Sequence, residues 1–200
     1  MNIELFFKPY VFIFSTNKKI GGFIMNIAGI KKANTENGIG IRVSVFVSGC
    51  LNHCKGCFNK ETWDINYGYA YTDDVEDRII TELQKPYYKG ITILGGDPFE
   101  LVNQEGVLQL IERVKKDCPD KDIWMYTGYL YNVDLMPNGC RYIPYITDKI
   151  LNLIDILVDG RFELDKKDLK LNFRGSSNQR IIEMESTRRT GNIVLSDLNN

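Results

Sequence analysis

Four short runs of β-branched and aliphatic residues constrain this chain most: "IRVSVFVS" (41–48), "GITIL" (90–94), "DIWMYTG" (122–128) and "IDILVDG" (154–160). Each has the length and composition of a buried strand. Between them lie amphipathic stretches. "DDVEDRIITELQK" (73–85) sets Val75, Ile79, Ile80 and Leu83 on one helical face, with Asp73 and Glu76 as a capping-box start. "ELVNQEGVLQLIERVKK" (100–116) does the same with Val107, Leu108, Ile111 and Val114, and a weaker helical stretch follows near 146–153. Strand and helix in alternation predict βαβ units and an α/β fold with a mostly parallel sheet. "MNIAGI" (25–30) reads as a further strand at the start, and "QRIIEM" (179–184) and "GNIVLS" (191–196) as small strands at the end.

In such sheets, sites gather at the carboxyl ends of the strands. Four unusual sequences fall there. "SGCLNHCKGCFN" follows the first run, "GGDP" the second, "TGY" the third and "VDGRF" the fourth. The first carries Cys50, Cys54 and Cys57 in a C-x3-C-x2-C spacing, three of the five cysteines in the chain. Three thiolates on one loop suit a metal centre. A structural zinc ion needs a fourth ligand, for which His53, Cys118 and Cys140 are the candidates, although His53 adjoins Cys54. An iron–sulfur cube on three thiolates leaves one iron open. The spacing alone leaves both readings standing.

The single histidine excludes multi-histidine metal sites and disfavours a Ser/His triad. The net charge of −1 gives no basic excess for a nucleic-acid partner. An odd cysteine count with two isolated members, Cys118 and Cys140, points to structural thiols in a reducing, cytoplasmic setting rather than a disulfide scaffold. "LFFKPYVFIFS" is interrupted by Lys8 and Pro9 and falls short of a membrane span. Gly21 and Gly22, two codons ahead of Met25, can be encoded by a purine-rich ribosome-binding sequence. Translation is therefore expected to start at Met25, with residues 1–24 a non-native or disordered extension and 25–200 a single domain.

"SGCLNHCKGCFNKETW" resembles the cysteine signature of the radical S-adenosylmethionine (SAM) enzymes, and more narrowly that of the activating enzymes of anaerobic ribonucleoside-triphosphate reductases. The similarity continues through "GGDPFE" (95–100), "MYTGY" (125–129), "DILVDGRFE" (155–163) and "FRGSSNQRII" (173–182), most of the chain from Met25 onward. The resemblance implies a partial, open (βα) barrel; a closed eightfold barrel takes about 250 residues. It implies that Cys50, Cys54 and Cys57 hold a [4Fe-4S] cluster whose open iron binds SAM. Gly95, Gly96 and Asp97 would meet the methionine moiety, Asp97 accepting from its ammonium group. Thr127 would contact SAM, and Gly56, Cys57 and Phe58 would lie near the cofactor, Gly56 standing where many of these enzymes have an aromatic residue. The implied reaction is reductive cleavage of SAM, its deoxyadenosyl radical taking hydrogen from a glycine of the reductase. The reductase would be the protein substrate and a flavodoxin or ferredoxin the electron donor. Pyruvate formate-lyase activation and a non-catalytic zinc-stabilised module are the alternatives.

Several residues carry weaker readings. His53 is read as a loop bystander, and Asp159 and Gly160 as a turn or a ribose contact. Arg174 with "GSSNQR" is either a docking surface or an ordered turn, and Arg188 and Arg189 are solvated charges.

Overall fold

The alternation of Val, Ile and polar residues places β1 at Asn26–Asn34 and β2 at Arg42–Val47, paired antiparallel. A two-residue β3 (Tyr69–Ala70) flanks β1. Three crossovers then build the parallel centre. Helix α1 (Asp73–Leu83) leads to β4 (Gly90–Gly95), and α2 (Gln104–Asp117) to β5 (Asp122–Tyr126). The one-turn α3 (Tyr131–Asp134) and α4 (Ile146–Leu153) lead to β6 (Ile156–Asp159). β7 (Arg180–Glu183) adds antiparallel to β6, and α5 (Met184–Thr190) follows. The computed structural model describes residues 25–199, so the expectation about residues 1–24 lies outside the described residues.

The seven strands form one open sheet in the order β3-β1-β2-β4-β5-β6-β7. The β2/β4, β4/β5 and β5/β6 pairs are parallel, and the three outer pairs are antiparallel. The sheet is therefore mixed, a correction to the mostly parallel expectation. The cause is local. β1 and β2 are joined by a short loop, too short for a parallel crossover, and the chain beyond β6 returns along it.

Val43, Val45, Val47, Ile91, Ile93, Ile123, Met125 and Leu157 are fully buried in one core with Val75, Ile79 and Leu83 of α1, Val107, Leu110 and Ile111 of α2, and Ile150 of α4. Each such side chain contributes about 1.5–3 kcal/mol on burial. The alternate residues form a different interior. Arg42 is completely buried, donating to Thr92 Oγ1 (2.7 Å) and to the Ile91 carbonyl (2.7 Å), pairing with Asp122 and lying over the Trp124 ring. This polar cluster ties the amino ends of β2, β4 and β5 together, opposite the ends that carry the site.

Helix α1 starts at Asp73 with Thr72 as its N-cap, one residue earlier than the expected Asp73 cap. The helix expected from 100 begins at Gln104, because residues 97–103 are spent on turns: Glu100 N–H donates to the Asp97 carbonyl and Asn103 N–H to that of Glu100. The strand expected at 191–196 is reduced to a single bridge between Leu195 and Ile182. Helix α5, which sequence periodicity does not predict, buries Met184 and Thr187. Its Arg188 is exposed, as expected, and has a structural use as well. It donates to the carbonyls of Leu151 and Ile154 at the end of α4, where helix carbonyls lack partners.

At the outer edge of β7, the side chain of Asn199 accepts from Ile181 N–H (3.0 Å) and donates to the Ile181 carbonyl (2.8 Å). Arg174 reaches the same corner through Asn199 Oδ1 and the Asn199 carbonyl.

Candidate metal centre

The carboxyl ends of β2, β4, β5 and β6 open into one cleft of about 220 Å³. Cys50, Cys54, Cys57, Phe58, Gly95, Gly96, Asp97 and Thr127 all line it. Of the residues expected at the site, only Gly56 does not. It turns the loop with φ +80°, and a Cβ there would come within 3.0 Å of Leu164 and 3.5 Å of Phe162. Phe162, from the loop after β6, therefore occupies the space beside the third cysteine, and it lines the cleft too. Phe58 is 75% exposed, with the Lys167 ammonium 5.0 Å from its ring centroid.

The three cysteines are free and half-buried. Burial pushes the Cys50 thiol up to about 12, with the charges of Asp97 and Glu100 adding to the effect and hydrogen bonds from Asn52 opposing it. Cys54 is raised by burial too, against a backbone N–H from Phe162 and the charge of Arg161. Thiolates in this cleft thus call for a cationic partner. Among the described residues, no fourth protein ligand accompanies them. Cys118 is buried in the hydrophobic core, and Cys140 is exposed with its thiol on Asp134 Oδ1. His53 stacks on Trp63 with ring centroids 4.6 Å apart, and lines a separate groove behind the loop. Among the described residues, no three His, Cys, Asp or Glu side chains close around a single ion.

Asp97 is the centre of the polar framework, and is only 1% exposed. Its Oδ1 accepts from Phe99 N–H (3.0 Å) and Thr127 Oγ1 (2.8 Å). Its Oδ2 accepts from Gly128 N–H (2.8 Å) and Asn52 Nδ2 (3.2 Å). Burial nevertheless lifts this carboxyl to about 7, with the charge of Glu100 adding to the effect and the hydrogen bonds from Gly128, Phe99 and Thr127 pulling the other way. Its oxygens are thus engaged with the loops after β2 and β5. Thr127, in turn, spends its hydroxyl on Asp97 and accepts from Tyr129 N–H (3.1 Å).

The glycine pair before Asp97 has a visible cause. A Cβ on Gly96 would lie 2.4 Å from the Gly49 carbonyl oxygen, and Asp97 N–H donates to that same oxygen at 2.8 Å. The close approach here is between two protein loops. The floor is completed by Asn103, whose amide donates to the carbonyls of Ser48 and Asp97, each at 2.9 Å. On the outer side, Glu100 accepts from Leu51 N–H (2.7 Å) and Tyr129 Oη (2.7 Å) and pairs with Arg141.

Asn52 and Arg161 were not singled out by sequence reasoning. Asn52 is 7% exposed and lines the cleft. Its Oδ1 accepts from both Nε (3.2 Å) and Nη2 (2.9 Å) of Arg161. The only sequence signal was position: an asparagine inside the cysteine spacing and an arginine directly after the fourth strand.

A family model described as a 4Fe-4S single cluster domain matches residues 36–182. An anaerobic ribonucleoside-triphosphate reductase-activating protein of Vibrio cholerae is 45% identical over 157 residues, covering 78% of this chain and 96% of the relative. The chain belongs to that activating-protein family. An Escherichia coli K12 member is 43% identical over the same shares of both chains, and a member from Enterobacteria phage T4 is 36% identical over 78% of this chain and 93% of its own length. The family match spans every strand end that lines the cleft, from the cysteine loop to Gly175 and Gln179. "FRGSSNQR" is an ordered turn: Gln179 Oε1 accepts from Gly175 and Ser176 N–H, and its Nε2 donates to the Gly160 carbonyl. Asp159 is bound by Arg180, and by Tyr131 N–H at 2.8 Å. Among the described residues, no helix is long and apolar enough to cross a membrane.

Proposed function

We propose that this chain activates an anaerobic ribonucleoside-triphosphate reductase, with a [4Fe-4S] cluster on Cys50, Cys54 and Cys57 and SAM bound beside it. When bound, the cluster supplies one electron that divides SAM into methionine and a 5′-deoxyadenosyl radical, which takes hydrogen from a glycine of the reductase. The observation that carries this reading is three free thiols lining one cleft with no fourth protein ligand among the described residues. That donor set fits a cube with one open iron, and the single-cluster family match supports it. The names of the relatives support the choice of protein substrate.

The chain's own part is to bind and orient. Cys50, Cys54 and Cys57 fix the cluster at the mouth of an open sheet, read here as a partial barrel of the radical SAM type. Gly95, Gly96 and Phe58 form walls of the SAM site. Asp97 and Thr127, whose polar atoms serve each other, hold the turn that carries those walls. Phe162 supplies an aromatic surface next to Gly56. A low-potential carrier of the flavodoxin or ferredoxin type would bring the electron, in the cytoplasm.

The test is anaerobic reconstitution with iron and sulfide, then dithionite and SAM in the presence of the reductase. A glycyl radical on the reductase, seen by electron paramagnetic resonance and absent with Cys54→Ala, is the expected result. A colourless protein holding one zinc and leaving SAM intact would favour the zinc-stabilised module. A radical formed on pyruvate formate-lyase but not on the reductase would reassign the substrate.

A further inference from the structure

The loops at the site come from four strands, and one side chain touches three others of them. Asn52, in the cysteine loop after β2, donates Nδ2 to Asp97 after β4 and accepts at Oδ1 from Arg161 after β6. Its amide also fills the space beside the turn after β5: a Cβ on Gly128 would lie 2.5 Å from Asn52 Nδ2. The carboxylate fixes which way the amide faces, since a carbonyl oxygen turned toward Asp97 would meet another acceptor. Asn52 Oδ1 is thus aimed at the loop after β6, where Arg161 takes it with two donors.

Other arginines around these strand ends are committed to carboxylates, Arg141 to Glu100 and Arg180 to Asp159. The hydrogen bonds of Arg161 go to a neutral oxygen, so its charge is not cancelled at contact distance. The residue after it, Phe162, lines the cleft together with Cys54. A cation is therefore held on the cysteine loop, at the residue midway between Cys50 and Cys54. Reduction adds negative charge to an iron–sulfur centre, and nearby cations and N–H donors favour the reduced form.

Resting on the [4Fe-4S] reading above, we propose that Arg161, held against the cysteine loop by Asn52, raises the reduction potential of the cluster. The guanidinium is exposed, so solvent weakens its effect, and the expected change is modest.

The experiment is a redox titration of the full-length, reconstituted chain followed by electron paramagnetic resonance, without SAM or reductase. Wild type is compared with Arg161→Lys, Arg161→Gln and Arg161→Met, each normalised to its iron content. At fixed ambient potential, the reduced-to-oxidised ratio is expected to fall about threefold in the two neutral variants, on a scale where tenfold corresponds to 59 mV for one electron. Arg161→Lys, which keeps the charge and loses the fork, is expected to stay near wild type in potential. An unchanged ratio in a neutral variant that keeps its iron would overturn the proposal. So would a lysine variant that shifts as far as the neutral ones, or loss of iron from both neutral variants. A wild-type chain that takes up no four-iron cluster would instead sink the reading of the centre itself.

Discussion

The Thr127 hydroxyl lies 2.8 Å from Asp97 Oδ1, and both residues are almost wholly buried. This bond joins the turn after β5 to the turn after β4 in the floor of the cleft. Thr127→Val keeps the shape and removes the donor, leaving a buried carboxylate oxygen one partner short. It is expected to lower stability by about 1–3 kcal/mol, read from the urea midpoint at constant slope. Thr127→Ser, which restores the hydroxyl, is expected to recover most of the loss.

Asp97 also predicts a pH dependence. Its carboxyl stands at about 7 in the folded chain, above the ordinary carboxylate value. Between roughly pH 4 and 7 the folded state holds a proton that the unfolded state has released. The contribution of Asp97 to stability is therefore full below that window and falls as pH rises through it. Asp97→Asn is expected to be less stable at every pH, since its amide nitrogen meets the Gly128 and Asn52 donors, but to lack this slope. Urea melts at pH 4.5 and 7.5 measure the difference. Parallel pH profiles for the two proteins would contradict the assignment.

Gly96 is a steric prediction. Any side chain there must displace the Gly49 carbonyl, which an added Cβ would approach to 2.4 Å. Gly96→Ala is expected to lower cluster occupancy at least several-fold on reconstitution, because the displaced backbone leads directly to Cys50. Iron analysis after gel filtration reads it. Full iron content in this variant would mean that the loop yields without cost.

Arg42 is a prediction at the other end of the strands. Replacing it with Met leaves Asp122 with only Lys89, at 3.9 Å, and Thr92 and the Ile91 carbonyl without their donor. Asp122 is partly exposed and keeps Lys89, so the main cost is the buried donor lost to Thr92 and Ile91, about 1–3 kcal/mol. The urea midpoint is expected to fall accordingly, while iron uptake by the folded fraction stays near wild type, since the site lies at the opposite strand ends.

The parallel centre was legible in the sequence because its strands are short and apolar, with an amphipathic stretch between each and the next. The cleft was legible for a related reason. Glycine, cysteine and proline are rare outside places that need them, and they cluster after β2 and β4. What was not legible depended on partners distant in sequence. Helix α5 reads as a polar segment because only Met184 and Thr187 turn inward. Arg188 is exposed as expected, but its bonds to the end of α4 appear only once the two helices are placed together. Asn52 and Arg161 are 109 positions apart, and no local pattern announces their bond. Asp97 was read as a ligand-facing acceptor, but its acceptor capacity is largely taken up by the loops around it.

The asparagine at the outer edge of β7 has a consequence for how copies of this chain meet. Asn199 answers the N–H and carbonyl of Ile181 as a neighbouring peptide group would. An exposed strand edge is an invitation to intermolecular pairing and aggregation. Here a side-chain amide fills that vacancy at Ile181, so a second molecule finds no free ladder rung there to extend.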